Sequence, residues 1–409
     1  MRPTVLSALL AILSLGVGVS TAAAEITTDN IRFIEYPDFP DAHSTWGSIG
    51  YSSRYHRVFI GVTNHRDKVG LFEFDIAADS MRRLGFLPEL AHLREWQWQG
   101  KVHSRITEGP DGAMYFSTDG GESREEYLMN HPQGYNGGYF MRWDPAHDRF
   151  TNLGNGLHYE SIKDVTIDRL NGNILGVSYP QAHLLLYDHK RNDLRDLGRM
   201  GSDHVPRVLF SDKFGNMYYV DWRQRLIKYE HDTGQLLFNA EAVPMFEGTP
   251  GNKVITGITA FAEDGKTGVI YLVTYGSKVV AYYPRRLGFG RMVDLGGVFD
   301  GDKAPYDYYC PNLALGHNGK LYYFIGGHGQ YALEDQAALM EFDPDKRTKK
   351  IVLRFPLTTI SEVTGHGVTD SGGNMYFCGR RRDTRAAMMG ESGASRPFMI
   401  VFNPEKALD

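Results

Sequence analysis

Seven short segments of one pattern constrain this chain more than any other feature. They are Leu71-Phe72-Glu73-Phe74-Asp75, Phe140-Met141-Arg142-Trp143-Asp144, Leu184-Leu185-Leu186-Tyr187-Asp188 and Leu226-Ile227-Lys228-Tyr229-Glu230. Val279-Val280-Ala281-Tyr282-Tyr283, Leu339-Met340-Glu341-Phe342-Asp343 and Met399-Ile400-Val401-Phe402-Asn403 complete the set. They lie roughly 40 to 70 residues apart, the sign of a repeat array in which no unit buries its own apolar face alone. Around each one the rest of a four-stranded unit can be traced. A first strand ends in a turn such as Asp111-Gly112, Asn171-Gly172, Phe214-Gly215, Asn318-Gly319 or Gly372-Gly373. The glycine supplies the positive φ that tight turns need. A Tyr- and Val-rich second strand follows, as at Met114-Tyr115-Phe116, Met217-Tyr218-Tyr219 and Met375-Tyr376-Phe377. A fourth strand often closes on Leu-Gly: Leu84-Gly85, Leu153-Gly154, Leu197-Gly198, Leu295-Gly296. Four strands per unit and seven units predict an all-β, seven-bladed β-propeller.

The last unit stops soon after its third strand. Ile31-Arg32-Phe33-Ile34-Glu35-Tyr36 precedes the first unit with strand character and no partner of its own. It is expected to complete the last blade, so that the N-terminal strand closes the ring and removes the open sheet edge. An open sandwich of similar strands is the competing arrangement. No linker-like stretch interrupts residues 25–409, which are read as one domain.

Ahead of that domain, Met1-Arg2, an apolar run from Val5 to Val19 and Ala22-Ala23-Ala24 read as a secretory signal peptide over residues 1–24. No later stretch has the roughly 20 apolar residues that a spanning helix needs. The expected location is therefore secreted or periplasmic, with no membrane span. The formal charge of −5 implies no basic face and no nucleic-acid partner. No organic-cofactor motif is read in the chain. With two cysteines, Cys310 and Cys378, a disulfide framework is not what holds the fold together.

In a propeller, one face is built from the loops that lead into the innermost strands and from those joining the second and third strands. The lead-in loops carry His43, Trp46, His103, Tyr159, His204, Arg207, Cys310 and His366. The second-to-third loops carry Asn64, His65, His131, Tyr135, Tyr179, Trp222, Arg223, Tyr275, His328 and Arg380-Arg381-Arg382. Seven of the 15 histidines fall in these loops, so chemistry is expected at this mouth of the channel. For most of them taken singly, a structural or surface role is the plainer reading.

Two groups stand out. His103, His131, Tyr179 and Arg207, with Arg223 beside them, offer imidazoles, a phenol and guanidiniums. No pair of carboxylates suits glycosidase chemistry. The set suits removal of a proton next to a carboxylate: Arg masks the negative charge, and His or Tyr moves the protons. That is β-elimination on a uronic acid. Trp222, Tyr135, Tyr159, Asn64, His65 and Tyr275 are the candidate substrate contacts. The second group, Cys310, His328 and His366, has zinc-ligand chemistry. Against it stand a Cys310–Cys378 disulfide and a buried free thiol.

Several stretches resemble the seven-bladed β-propeller polysaccharide lyases, in particular the ulvan lyases and relatives acting on rhamnose–glucuronate linkages. They are Asp41-Ala42-His43-Ser44-Thr45-Trp46, Gly61-Val62-Thr63-Asn64-His65, Gly100-Lys101-Val102-His103 and Glu108-Gly109-Pro110-Asp111-Gly112. Gly137-Gly138-Tyr139-Phe140 and Ser178-Tyr179-Pro180 add to them. The resemblance implies a secreted lyase that cleaves at C4 of glucuronate or iduronate in an acidic polysaccharide or oligosaccharide. It implies His103 and His131 with a tyrosine, Tyr179 or Tyr159, as base and acid. It also implies an arginine, Arg207 or Arg223, on the carboxylate, and a structural zinc on Cys310, His328 and His366. A propeller hydrolase releasing rhamnose from glucuronate and a non-enzymatic carbohydrate-binding propeller are the alternatives.

Overall fold

The computed structural model describes residues 25–64, 68–94, 96–120, 134–201, 208–246, 257–301, 308–325, 336–382 and 395–408. They form seven antiparallel sheets arranged as the blades of a β-propeller. The signal-peptide span lies outside the described residues.

In blade 1, strands Ile49–Ser52, Arg57–Thr63, Val69–Asp75 and Ser80–Phe86 pair in chain order from the axis outward. Blades 2 to 6 repeat that order, and each third strand is one of the seven repeated segments. Blade 7 is different, as the sequence predicts. Its third strand, Ser395–Phe402, pairs on one side with Met375–Arg382 and on the other with Ile31–Glu35. The register runs from Ile31 opposite Phe402 to Glu35 opposite Phe398. Main-chain and side-chain bonds reinforce the closure: Asn403 N donates to Asn30 O, and Asn30 Nδ2 donates to the carbonyls of Asn403 and Lys406.

The repeated turn has a physical cause in blades 2, 4 and 7. Asp111, Asp212 and Asp370 each accept turn N–H groups on Oδ1, while the Tyr in the next strand (Tyr115, Tyr218, Tyr376) donates to Oδ2 at 2.7–2.9 Å. The aspartate thus fixes both the turn and the buried phenol. The Leu-Gly endings are bulges. Gly154, Gly198 and Gly296 hold φ between 98° and 126°, and each N–H donates to the Asn or Asp two residues before it. Blades stack face to face through apolar side chains. Phe140 of blade 2 lies flat on Tyr187 of blade 3, with centroids 5.2 Å apart. A Cβ on Gly176 would meet Phe140 at 3.0 Å, so a side chain there would crowd the stacked rings. Among the described residues, no helix is long and apolar enough to cross a membrane.

Phe402 is fully buried at the closing seam, against Tyr322 at 5.3 Å. Phe402→Ala should lower stability by about 3–5 kcal/mol, read from the urea midpoint. Phe33→Ala, on the half-exposed outer strand of the same blade, should cost less than half of that. Equal effects would mean the seam is not where the ring gains its cohesion.

Candidate active site at the channel mouth

All seven innermost strands run away from the lead-in loops, so those loops surround one opening of the central channel. Just inside it the channel narrows to a neck lined by Trp46, His103, Thr259, Tyr309, Thr364 and His366, among others. Gly47 lets two blades meet there. Its N–H donates to His103 O at 3.1 Å, and a Cβ would sit 2.2 Å from that oxygen and 3.2 Å from His366 Nε2.

His103 is buried and stacks at 12° on Trp46. Its Nδ1 lies 3.1 Å from the carbonyl of Lys163. A carbonyl only accepts, so Nδ1 carries a proton, which in the neutral ring leaves the lone pair on Nε2. Lys163 reaches this place through a bulge. In the pairing of Ser161–Ile167 with Ile174–Tyr179, Ile162 faces Ser178 and Asp164 faces Val177, leaving Lys163 as the extra residue. A bulge re-aims one side chain. Thr259 of blade 5, which lines the neck, occupies the same kind of bulge.

The Lys163 ammonium pairs with the buried Asp119 at 2.6 Å and lies 4.6 Å from the ring centre of Tyr179. Asp119 is held by a two-way backbone bridge to Lys101, whose own ammonium lies 4.9 Å from the Trp46 ring. His103, Tyr179, Trp46, two lysines and a carboxylate therefore meet over blades 1 to 3. Below them, Asp164 accepts from the N–H of Arg105 and of Leu209, at 2.9 and 2.7 Å. One carboxylate thus ties the lead-in segments of blades 2 and 4 to blade 3. Burial pushes its pKa up to about 7 against those two hydrogen bonds.

Lys163 links His103 and Tyr179, its carbonyl against the imidazole and its ammonium over the phenol ring, and other expected residues lie elsewhere. Tyr135 is buried, donating to Gln99 Oε1 at 3.1 Å, and its pKa is raised well above the usual value by burial. Its phenol is thus engaged within the blade 2 core. Tyr275 is also buried, its ring 6.1 Å from Tyr309 of the neck. Asn64 caps its own loop, accepting from Lys68 N at 3.0 Å. Arg223 is bound to Asp221 two residues away, at 2.6 and 2.8 Å. Tyr159 and Trp222 stand on the rim with 68% and 61% of their surface open. His65, His131, Arg207 and His328 lie outside the described residues.

Of the expected zinc ligands, Cys310 and His366 lie among the described residues, and their side chains have different surroundings. Cys310 packs with Tyr308, Tyr323 and Val298 between blades 5 and 6. Its thiol donates to Asn312 O at 3.1 Å, and burial raises its pKa to about 12. His366 instead faces the neck, where burial and the nearby Arg105 charge keep it neutral. The disulfide alternative fails: Cys378 is a separate free thiol beside Tyr36, in the core shared by blades 7 and 1.

Sequence reasoning missed Lys163, Asp119 and Lys101. One signal was available: Lys163-Asp164 is a charged pair inside the otherwise uncharged strand Ser161–Ile167. A bulge that turns both of them to use is not visible in a periodicity of two.

No family model matches this chain, and no curated protein matches it in sequence. Solved structures do resemble it. Virginiamycin B lyase from Staphylococcus aureus superposes with a TM-score of 0.56 at 9% identity, covering 91% of this chain and 99% of that one. The WD40 repeats of RRP9 superpose at 0.54 and 9% identity, covering 93% and 99%. At such identities the likeness establishes the propeller fold.

Two expected outcomes follow from this geometry. Lys163→Met strands the buried Asp119 charge and should destabilise by about 3–5 kcal/mol, while Lys163→Met with Asp119→Asn should recover most of the loss in thermal melts. The Asp164 carboxyl should titrate near 7 in carboxyl carbon NMR. Its folded pKa lies above the ordinary 3.8, so its contribution to stability is full at low pH and fades as pH rises from that value through about 7. A midpoint in the ordinary carboxylate range would contradict the burial argument.

Proposed function

We propose that this chain is a secreted lyase that cleaves a uronate-containing polysaccharide by β-elimination at the channel mouth. The observation that carries this reading is the His103–Lys163 hydrogen bond. In the neutral imidazole it leaves the lone pair on Nε2, and the same Lys163 carries its ammonium over the Tyr179 ring while Lys101 lies over Trp46, on which His103 stacks.

The chemistry needs three things of the site. A base must take the C5 proton of the uronate, a cation must mask its carboxylate, and an acid must protonate the departing O4. His103 Nε2 is the base in this reading. The C5–H electrons form the C4–C5 double bond, and the C4–O4 bond breaks toward the leaving sugar. Tyr179 supplies the proton to O4. Lys163 and Lys101 favour the build-up of negative charge on the carboxylate side, a role the sequence assigned to Arg207 or Arg223. Tyr159 and Trp222, exposed on the rim, offer faces on which sugar rings can stack. One structural neighbour is itself named a lyase.

The test is incubation with ulvan and with other glucuronate-containing polymers while following ultraviolet absorbance. Elimination creates an unsaturated uronate that absorbs; hydrolysis creates reducing ends without it; a binding module leaves polymer length unchanged. His103→Ala should reduce the absorbance rate by at least about 10²-fold with an unaltered circular dichroism spectrum. Full activity in that variant removes His103 from the mechanism.

A further inference from the structure

On the far side of the neck the channel widens into a second chamber of about 260 Å³. Arg105 hangs into it, with its guanidinium 3.9 Å above the Phe261 ring. Among the described residues this guanidinium has no ion-pair or hydrogen-bond partner, and its Nη1 is shut off from water. A guanidinium carries five donors, and buried donors are ordinarily satisfied. Burial draws its pKa down only to about 10, so it stays charged at neutral pH.

The nearby carboxylates are already engaged. Asp164 accepts the two backbone N–H groups described above. Glu263 pairs with Arg169, which faces the same chamber. Glu108 accepts from Ser52 Oγ, from Ser53 N and Oγ, and from Arg54 N. His366, behind Arg105, is neutral. Among the described residues, the guanidinium therefore faces a cavity several times the roughly 30 Å³ share of a water molecule with no side chain bonded to it. Thr166 and Ser211 add hydroxyls to its wall.

We propose that this chamber binds a small oxyanion, up to the size of a sugar acid, on the Arg105 guanidinium. A two-point contact on a flat fork selects carboxylate or phosphate oxygens over a spherical halide. The site is separate from the mouth and does not depend on the activity assigned there.

Calorimetric titration of the whole mature chain with glucuronate, inorganic phosphate and chloride tests it. Saturable binding of glucuronate or phosphate is expected in the wild type and, undiminished, in His103→Ala. Binding should weaken by at least about tenfold in Arg105→Gln. Which oxyanion binds identifies the source. Thr166→Glu, which adds a carboxylate to the wall of the same chamber, should weaken oxyanion binding by at least about tenfold. This second variant carries the test if Arg105→Gln does not fold. No saturable oxyanion binding by the wild type overturns the proposal. So does binding of chloride alone, or affinity unchanged in Arg105→Gln or Thr166→Glu.

Discussion

A ring of blades is only as strong as the seam where the two ends of the chain meet. Here that seam is five residues long, Ile31–Glu35 laid against Ser395–Phe402. Without it, blade 7 would present a bare edge, and blades 6 and 1 would lose the wall between them. Phe398, Ile400 and Phe402 face blade 6 with its Phe324, while Met399 and Val401 face blade 1 with its Val58 and Ile60. The alternation of one strand therefore serves two interfaces. Everything on the axis, including the mouth, inherits its geometry from this closure.

The mouth shows how a rigid scaffold can hold a charged group where it is needed. A regular inner strand would point Lys163 along the alternation of its neighbours. The bulge frees it to pair with Asp119 of blade 2 while its carbonyl takes the proton of His103. One residue thus fixes the imidazole's tautomer with its backbone and neutralises a buried carboxylate with its side chain. Asp164, next along the strand, anchors the segment that carries His103 through Arg105 N.

The channel is divided electrostatically as well as by width. Above the neck, the described charges are largely in close pairs: Lys163 with Asp119, and Arg380 with Glu362 beside His43. Below it, Arg105 stands on an aromatic ring with no counter-charge bonded to it. Its field reaches Asp164, favouring the ionised carboxylate, and His366, favouring the neutral ring. The two compartments differ in what they can attract, although the same seven strands line both.

The sequence by itself determined the propeller, the number of blades, the strand that closes them and the glycine turns. These are local or periodic properties: an Asp-Gly turn, an alternating strand and a unit spacing are each written in neighbouring residues. It also placed His103 and Tyr179 on the same face, because loop position follows from strand order. Only the tertiary structure decided which candidates meet. Tyr135 looked like a contact and is buried with its phenol engaged; Arg223 looked available and is bound to Asp221; Cys310 looked like a ligand and points into the core. Lys163 gave no motif at all. Such outcomes depend on the direction of a side chain at a bulge or a blade seam, and on burial by residues hundreds of positions away. Neither spacing nor composition carries that information.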